Sequence, residues 1–436
     1  MKVVFPSPKS LRQHFNFMRG NIMIFSITDL LGNFSRRLVF PYVSLYILAL
    51  GGDAAQIGFI SALAPLAGLI MFPLGGYIAD HANRVRLIIL ANSLAVAALM
   101  AKATSPNWQV FAIAGLIQGF IVIQFPAKSS LIADDLAPED RGKGIAAMNT
   151  ISTTLAIFAP YLAGIIVENL GANTGIRVLY FIMIAFYSVI TFVHFRYLKE
   201  NETHASTNFA VAELPKILRD AYKGIPAMLK ELPLSLKALA GVIVLNFMTN
   251  GVASPFWVVY VVNEIGLSPS SWGFILLLET VLKLLLFMPA GLLVDRWGRT
   301  TSLLLSLIIG TISIPAFVLV DNFYGVLIVR LAIAVSFAIA IPACTALMAD
   351  TVPRPIRGRV MAALGQGGIQ IAPAGGGTGG PAVGFLITIP LMISSLAGGY
   401  LYTLNPTYPW LFVFVAMVIS VFLTILFIRD PKSAEV

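Results

Sequence analysis

The sequence predicts an all-α membrane protein with twelve transmembrane helices in two pseudo-symmetric halves of six helices each. Three observations support this prediction. The chain of 436 residues is 58% hydrophobic and only 11% charged. Its apolar residues occur in blocks of about twenty or more, long enough to cross a hydrocarbon core of roughly 30 Å. The second half of the chain also repeats features of the first half in the same order.

Each predicted span is an apolar block that ends at charged or turn-forming residues. The connections between blocks are short, except for one long polar connection after the sixth block. We number the blocks span one to span twelve in chain order. They cover 21–49, 55–79, 86–104, 109–132, 144–168, 176–197, 238–262, 270–294, 301–320, 323–348, 382–404 and 409–429.

Positive charge identifies the predicted cytoplasmic side. Most of the 29 Lys and Arg residues lie in alternate connections, whereas the opposite side carries only Lys102 and Arg177, at the ends of spans three and six. This asymmetry is the positive-inside pattern, so we expect a multi-pass protein of the cell membrane with both termini and segment 198–236 in the cytoplasm. The net charge of +9 reflects this topology, and nucleic acid is not expected as a partner.

Residue types that other functions need are scarce. The single cysteine, Cys344, excludes an internal disulfide, and the histidines are scattered without metal-ligand spacing. No nucleophile and base recur at a workable spacing, so the sequence does not predict an enzyme. We expect no cofactor and no metal. The basic N-terminal segment is not followed by a cleavable apolar run, so we expect it to be retained.

Four stretches of the first half recur in order in the second half. Since each half contains an even number of spans, the two copies have the same orientation in the membrane. We predict a first half at 1–197, a cytoplasmic linker with an interfacial helix at 198–237, and a second half at 238–436. The matched stretches are "PYVSLY" (41–46) and "PFWVVY" (255–260), "IGFI" (57–60) and "WGFI" (272–275), "GGYIADHANR" (75–84) and "AGLLVDRWGR" (290–299), and "FPAKSSLIADDLAPEDRGKG" (125–144) and "IPACTALMADTVPRPIRGRV" (341–360).

The loop after span eight carries a family signature. It contains Gly291, Asp295, Arg296, Gly298 and Arg299, and it resembles the Gly-x-x-x-Asp-Arg-x-Gly-Arg motif of the major facilitator superfamily. The resemblance covers nearly the whole chain, because the motif occurs twice at the spacing of the repeat. It implies the twelve-helix fold of that family.

The copy of this motif after span two is altered. It retains Gly76, Asp80 and Arg84 but has His81 in place of the first Arg and Asn83 in place of the second Gly. Asparagine adopts the left-handed conformation more readily than most non-glycine residues, so we expect Asn83 to preserve the turn.

In the family this loop holds one half against the other, so the resemblance implies a cytoplasmic gate. Asp80 would face the amide-rich start of span eleven near Arg357, and Asp295 would face the start of span five near Arg141. Gly76 and Gly291 would let the helices approach closely. The implied gate residues are Gly76, Asp80, Arg84, Arg141, Gly291, Asp295, Arg299 and Arg357.

Several charged side chains lie inside predicted spans, where each costs at least ~2.5 kcal/mol and therefore usually faces water or an opposite charge. Glu279 and Lys283 are four residues apart and can pair on one face of span eight. Glu279 also matches the depth of Arg330, which allows a cross-helix pair. Lys128 can reach toward Asp134. Away from the span ends, the charged residues are Asp29, Arg36, Arg37, Lys128, Glu279, Lys283 and Arg330.

Two interpretations of these polar groups are open. They either form purely structural pairs or line a central cavity for substrate and protons. Asp29 and Arg36 share a face of span one, and Asn250 matches Arg36 in the repeat and precedes a predicted kink. The predicted cavity residues are Asp29, Arg36, Asn246, Asn250, Glu279, Lys283 and Arg330.

These features predict a secondary transporter that moves a small organic solute by alternating access. The stretch "LAIFAPYLAGII" (155–166) loosely resembles the antiporter signature of the family, which favours proton-coupled export of amphiphilic compounds with protons carried by Asp29 or Glu279. Small residues there also suit ordinary helix packing. The expected partners are a small-molecule substrate, protons and the lipid bilayer, and the expected state is a monomer.

Two alternatives are open for the function. The excess of cations within the spans suits uptake of an organic anion together with protons, and a transport-inactive sensor or scaffold is the other alternative. The glycine-rich segment 361–385 lacks the Lys-Ser/Thr of a phosphate-binding loop. We therefore expect it to be a hinge or a broken start of span eleven.

Overall fold

The computed structural model describes residues 18–200, 214–223, 230, 232–352, 360, 363–364, 369, 371 and 384–430. Regular structure in these residues is entirely helical. The helices of the first half are Gly20–Val39, Val43–Ala49, Ala54–His81, Arg84–Ala103, Trp108–Gly119, Gln124–Asp135, Arg141–Thr154 and Ala159–Tyr197. Helix Leu214–Lys223 lies in the linker, and the second half contains Leu234–Ala253, Trp257–Asn263, Pro269–Trp297, Arg299–Ala316, Phe323–Thr351, Phe385–Leu404 and Tyr408–Phe427.

Ten helical stretches among the described residues are long and apolar enough to cross a membrane. One of them, Arg141–Tyr197, covers both span five and span six, and a break at Gly171 divides the two spans. Helix Gly20–Val39 occupies the position of span one but carries Asp29, Arg36 and Arg37, which lower its apolarity. The predicted helical membrane fold is confirmed, and these helices are consistent with the twelve predicted spans.

The connection between spans five and six differs from the prediction. We expected a loop at 169–175, but helix continues on both sides of Gly171. Gly171 has a φ of 77°, a conformation that glycine adopts without steric cost. One residue therefore suffices to reverse the chain direction.

Spans one and seven share a break in their helices. Short 3₁₀ turns at Phe40–Tyr42 and Ser254–Phe256 each contain a proline near their start, Pro41 or Pro255. Proline has no N–H to donate, so it interrupts the α-helical hydrogen bonds at both places. The predicted kink in span seven is present, and its counterpart lies at the matching position of the repeat.

The helix N-caps also follow the repeat. The Asp53 and Ser268 side chains cap spans two and eight, and the Asn107 and Asn322 side chains cap spans four and ten. These side-chain oxygens accept hydrogen bonds from backbone N–H groups that would otherwise have no partner. All four caps lie at one end of the bundle, which we call the opposite end. The end that carries the two loop motifs is called the motif end.

The two halves pack tightly at the opposite end. A Cβ atom added to Gly58 of span two would lie 2.6 Å from the Ser395 carbonyl oxygen of span eleven. In the second half, a Cβ atom added to Gly273 of span eight would lie 2.4 Å from the Pro160 carbonyl oxygen of span five. Gly58 and Gly273 are equivalent residues of the "IGFI" and "WGFI" repeat. Only glycine permits backbones to approach this closely.

The small residues of span five take part in this packing. A Cβ atom added to Gly164 would lie 2.5 Å from the Pro269 carbonyl oxygen. The Tyr42 hydroxyl lies 2.8 Å from the Pro160 carbonyl oxygen and 3.0 Å from the Pro269 carbonyl oxygen. The stretch that resembles an antiporter signature therefore has a packing role between the halves in this conformation.

The linker helix packs against the transmembrane bundle. Helix Leu214–Lys223 packs against span two. The Tyr222 hydroxyl donates a hydrogen bond of 2.5 Å to the Leu69 carbonyl oxygen, in the middle of that span. The helix therefore has a specific binding position on the transmembrane bundle.

Candidate functional site

A buried ion cluster joins spans eight and ten in the second half. The Lys283 Nζ lies 2.5 Å from Glu279 Oε1, and the Arg330 Nε and Nη2 lie 2.8 and 2.6 Å from Glu279 Oε2. One carboxylate thus contacts two cations. The structure contains both contacts that the spacing and depth of these residues predicted.

Aromatic rings complete the surroundings of this cluster. The Arg330 guanidinium lies 4.6 Å from the Trp257 ring centre and 5.6 Å from that of Trp272, and the Lys283 Nζ lies 4.3 Å from the Phe337 ring centre. Ring faces attract cations, and this attraction is stronger away from water. The aromatic rings therefore stabilise the second cation that Glu279 alone does not neutralise.

The cluster is buried within the second half and does not line an open cavity in this conformation. The Arg330 side chain is 0% exposed, the Glu279 side chain 4% and the Lys283 side chain 19%. Asn246 and Asn250 are also buried, and the Asn246 Nδ2 donates to the Val242 carbonyl oxygen at 2.9 Å. In this conformation Glu279, Arg330, Asn246 and Asn250 therefore do not line the predicted cavity. Only Lys283 has appreciable exposure, because Glu279, Arg330 and the asparagines face neighbouring helices.

A second ion pair lies in the first half. The Lys128 Nζ on span four contacts Asp29 Oδ1 on span one, and it also lies 5.1 Å from the Phe25 ring centre. Lys128 does not turn toward Asp134 as predicted, because Asp29 supplies a closer carboxylate. The side chains of Asp29 and Lys128 are 29% and 21% exposed. This pair is more accessible than the cluster at Glu279.

The two arginines of span one face different directions. The Arg36 Nη2 lies 2.5 Å from Asn33 Oδ1, and its Nη1 lies 3.2 Å from the Tyr187 hydroxyl. Arg37 is exposed and makes no hydrogen bond or ion pair with any described residue, but it interacts electrostatically with Glu279 of the second half. Arg37 therefore faces the space between the halves, where the sequence analysis had placed Arg36.

His194 is a polar residue that the sequence analysis did not select. Its Nδ1 lies 2.9 Å from Asn92 Nδ2, its Nε2 lies 3.0 Å from Thr28 Oγ1, and its ring packs edge-on against Phe25. Phe25 also contacts Lys128, so His194 belongs to the surroundings of the Asp29–Lys128 pair. A lone histidine in an apolar span gives no sequence signal of this role.

Matching ion pairs hold the motif end of each half together. Arg84 Nη1 lies 2.6 Å from Asp134 Oδ2 in the first half, and Arg299 contacts Asp350 in the second half. These pairs occupy equivalent positions of the repeat. They join the motif loop to the end of span four or span ten, so both motif arginines act within their own half in this conformation.

The predicted contacts of the gate across the halves are not made among the described residues. Asp80 and Asp295 are exposed, and a Cβ atom added to Gly76 or Gly291 would meet no atom of the described residues within 4 Å. The Arg141 Nη2 donates instead to the Ala133 carbonyl oxygen at 3.1 Å. The halves touch at the opposite end, and from the exposure of Asp80 and Asp295 we infer that they are separated at the motif end. Arg357 and most of the glycine-rich segment 361–385 lie outside the described residues.

The altered motif turn also differs from the prediction. Gly298 has a φ of 89°, whereas Asn83 has a φ of −65° and does not adopt the left-handed conformation. The Asn83 side chain accepts a hydrogen bond from the Arg86 N–H at 2.8 Å. Asn83 therefore begins span three as an N-cap, which is a favourable use of asparagine.

Comparisons with known proteins agree with this architecture. A family model described as Major Facilitator Superfamily matches residues 25–237 and 239–436. Multidrug resistance protein MdtG of Salmonella paratyphi C is 25% identical over 336 residues, which are 74% of this chain and 78% of that protein. The multi-drug resistance efflux pump PmrA of Streptococcus pneumoniae is 25% identical over 164 residues, 36% of this chain and 40% of that protein.

Solved structures are similar in fold at low sequence identity. A bacterial homologue of the iron transporter ferroportin, in an inward-facing state, has a TM-score of 0.68 at 14% identity, covering 96% of this chain and 99% of that chain. The nucleoside transporter NupG has a TM-score of 0.62 at 13% identity, covering 93% of this chain and 98% of that chain. With the family match over both halves, the chain belongs to the major facilitator superfamily of membrane transporters.

Proposed function

We propose that this transporter exports small amphiphilic compounds in exchange for protons. The relatives named as multidrug resistance proteins support export of such compounds, although their identity to this chain is 25%. The observation that carries proton exchange is the pair of Asp29 and Lys128, a partly exposed carboxylate with one cationic partner inside the membrane. Intramembrane carboxylates of this kind are typical of proton relays.

Asp29 is a better proton carrier than Glu279. The Glu279 carboxylate is almost fully buried and contacts both Lys283 and Arg330, so a proton there would leave two cations without their counter-charge. Asp29 has one partner and a more exposed side chain. A proton on Asp29 would release Lys128, whose charge is also stabilised by the Phe25 ring. The geometry thus favours Asp29 of the two acids that the sequence analysis left open.

The test is dye movement in vesicles that contain the purified protein. Exchange is reversible, so vesicles that are acidic inside should accumulate ethidium, a fluorescent amphiphilic cation, as protons leave. Asp29→Asn should abolish the dependence on the pH gradient, because the site no longer binds and releases a proton. Glu264→Gln, which also converts a carboxylate to an amide but at an exposed position, should retain it. Ethidium accumulation that ignores the gradient, or that Asp29→Asn leaves intact, would refute the proposal.

One observation favours a second candidate, uptake of an organic anion together with protons. Arg37 faces the space between the halves and forms no ion pair with any described residue, and Arg36 and Lys283 lie within the membrane near it. An anion bound to these cations would compensate them when a carboxylate takes up a proton. Binding of the anion and of the proton would then reinforce each other, so the two would move in the same direction.

The vesicle assay separates the two candidates with a charged probe and a neutral probe of the same shape. If the second candidate holds, naphthalene-2-sulfonate accumulates in vesicles that are alkaline inside, and neutral naphthalene-2-sulfonamide does not. Arg37→Gln should then reduce sulfonate accumulation, whereas Arg196→Gln removes an equal charge at an exposed position and should not. Equal behaviour of the two probes would exclude this candidate.

A further inference from the structure

The linker helix Leu214–Lys223 has two different faces. Ile217, Leu218 and Tyr222 are half-buried, whereas Lys216 and Lys223 are exposed. Apolar residues spaced in this way form one face of an α-helix. Because the helix packs against span two, its apolar face contacts that span and its cations point away from it.

A proline in span two creates the acceptor for the linker helix. In a regular helix the N–H of residue 73 would donate to the carbonyl of Leu69, but Pro73 has no N–H. The Tyr222 hydroxyl donates to this Leu69 carbonyl at 2.5 Å. Burial raises the pKa of Tyr222 above its usual value, so the hydroxyl keeps its proton and remains a donor. The hydrogen bond replaces one that the proline removes.

The linker helix reaches the middle of span two, and this depth favours a position between the two halves. Leu69 is separated from His81, at the motif end of span two, by a rise of roughly 18 Å along the helix. Lys216, Arg219 and Lys223 are exposed, and charges at this depth are tolerated only where water reaches them. The space between the halves at the motif end, next to the exposed Asp80, is a place that water can reach.

We propose that the linker helix is a strap that occupies the space between the halves and holds the motif end open through the Tyr222–Leu69 hydrogen bond. Closure of the motif end brings the motif-end parts of spans two and eleven together and leaves no room for a charged helix between them. The strap must therefore detach before the halves can rock. The strap therefore biases the transporter toward the conformation described here. This inference rests on the proposed function, because exchange by alternating access requires the two halves to rock against each other.

The test measures the distance between the halves at the motif end by electron-spin resonance. Spin labels at Glu139→Cys and Arg429→Cys occupy exposed positions in different halves, and the native Cys344 is buried and remains unlabelled. Tyr222→Phe removes only the hydroxyl and retains the apolar contact. We expect it to raise the ratio of short to long distances about threefold, the effect of losing one neutral hydrogen bond.

Two further variants make the result specific. Tyr197→Phe removes a hydroxyl from an exposed tyrosine at the end of span six and should leave the distances unchanged. Pro73→Ala restores the N–H that competes for the Leu69 carbonyl, so Tyr222→Phe should have no additional effect in that background. Unchanged distances in Tyr222→Phe, or an equal change in Tyr197→Phe, would overturn the proposal. The experiment uses neither substrate nor pH gradient, so its failure is distinct from failure of the proposed exchange.

Discussion

Glu279 determines the charge balance inside the second half. Its carboxylate contacts both Lys283 and the fully buried Arg330, and rings of Trp257 and Trp272 flank the arginine. Removing one member of a buried ion pair leaves the other charge in a poor solvent, which is more costly than never having had the pair. The stability of spans eight and ten should therefore depend on this side chain.

We expect Glu279→Gln to destabilise the protein by about 3 kcal/mol, since Arg330 loses the carboxylate that compensates its buried charge. Thermal unfolding followed by tryptophan fluorescence measures the effect, because two tryptophans contact Arg330. Adding Arg330→Gln to Glu279→Gln should restore part of the loss.

The control for this prediction is Glu264→Gln, an identical change at an exposed position. It should leave the unfolding temperature unchanged. Equal unfolding temperatures for Glu279→Gln and the original protein would contradict the importance of the cluster.

Contacts between charged side chains could be predicted from the sequence where both partners lie on one helix or at one depth. The spacing of Glu279 and Lys283 fixes their common face, and depth suggested Arg330. The contact of Lys128 with Asp29 and the contacts of His194 could not be predicted, because these depend on how spans one, four and six are rotated about their axes. Neither spacing nor composition determines that rotation.

Among the elements, the internal repeat explains more of the structure than any single motif. The prolines of spans one and seven and the N-caps at Asn107 and Asn322 occupy equivalent positions. So do Gly58 and Gly273, each packed against the other half. Duplication therefore preserved both the local helix signals and the contact between halves, and these features can be found by aligning the two copies of the sequence.

We expect Gly273→Ala to open the opposite end, because the new Cβ atom would lie 2.4 Å from the Pro160 carbonyl oxygen. Backbone cannot move aside as a flexible side chain does, so spans five and eight must separate. Spin labels at Asn169→Cys and Tyr324→Cys, exposed in different halves at this end, should report a longer distance.

The matched control is Gly142→Ala, because a Cβ atom there would meet no atom within 4 Å. It should give the same distances as the unmodified sequence with the two labels. If Gly273→Ala also leaves the distance unchanged, the glycine contact does not hold the halves together.

For the whole molecule, the fold and the transporter family could be predicted from the sequence, whereas the conformation could not. Apolar blocks, charge asymmetry and the repeat each depend on composition along the chain, which the membrane constrains strongly. The contacts of Asp80 and Asp295 depend on which end of the bundle is closed. The contact that the motif implies belongs to a conformation with a closed motif end. The exposed Asp80 and Asp295 instead fit a conformation in which this end is open.

Proton exchange through Asp29 requires the halves to rock about the membrane midplane when this carboxylate binds or releases a proton. Spin labels can follow both ends of the bundle in the same protein, with one label pair at Glu139 and Arg429 and the other at Asn169 and Tyr324, in acidic and in alkaline buffer. We expect opposite changes, one end shortening as the other lengthens, and loss of the pH response in Asp29→Asn. Distances that change together at both ends, or that respond equally to pH in Asp29→Asn, would contradict it.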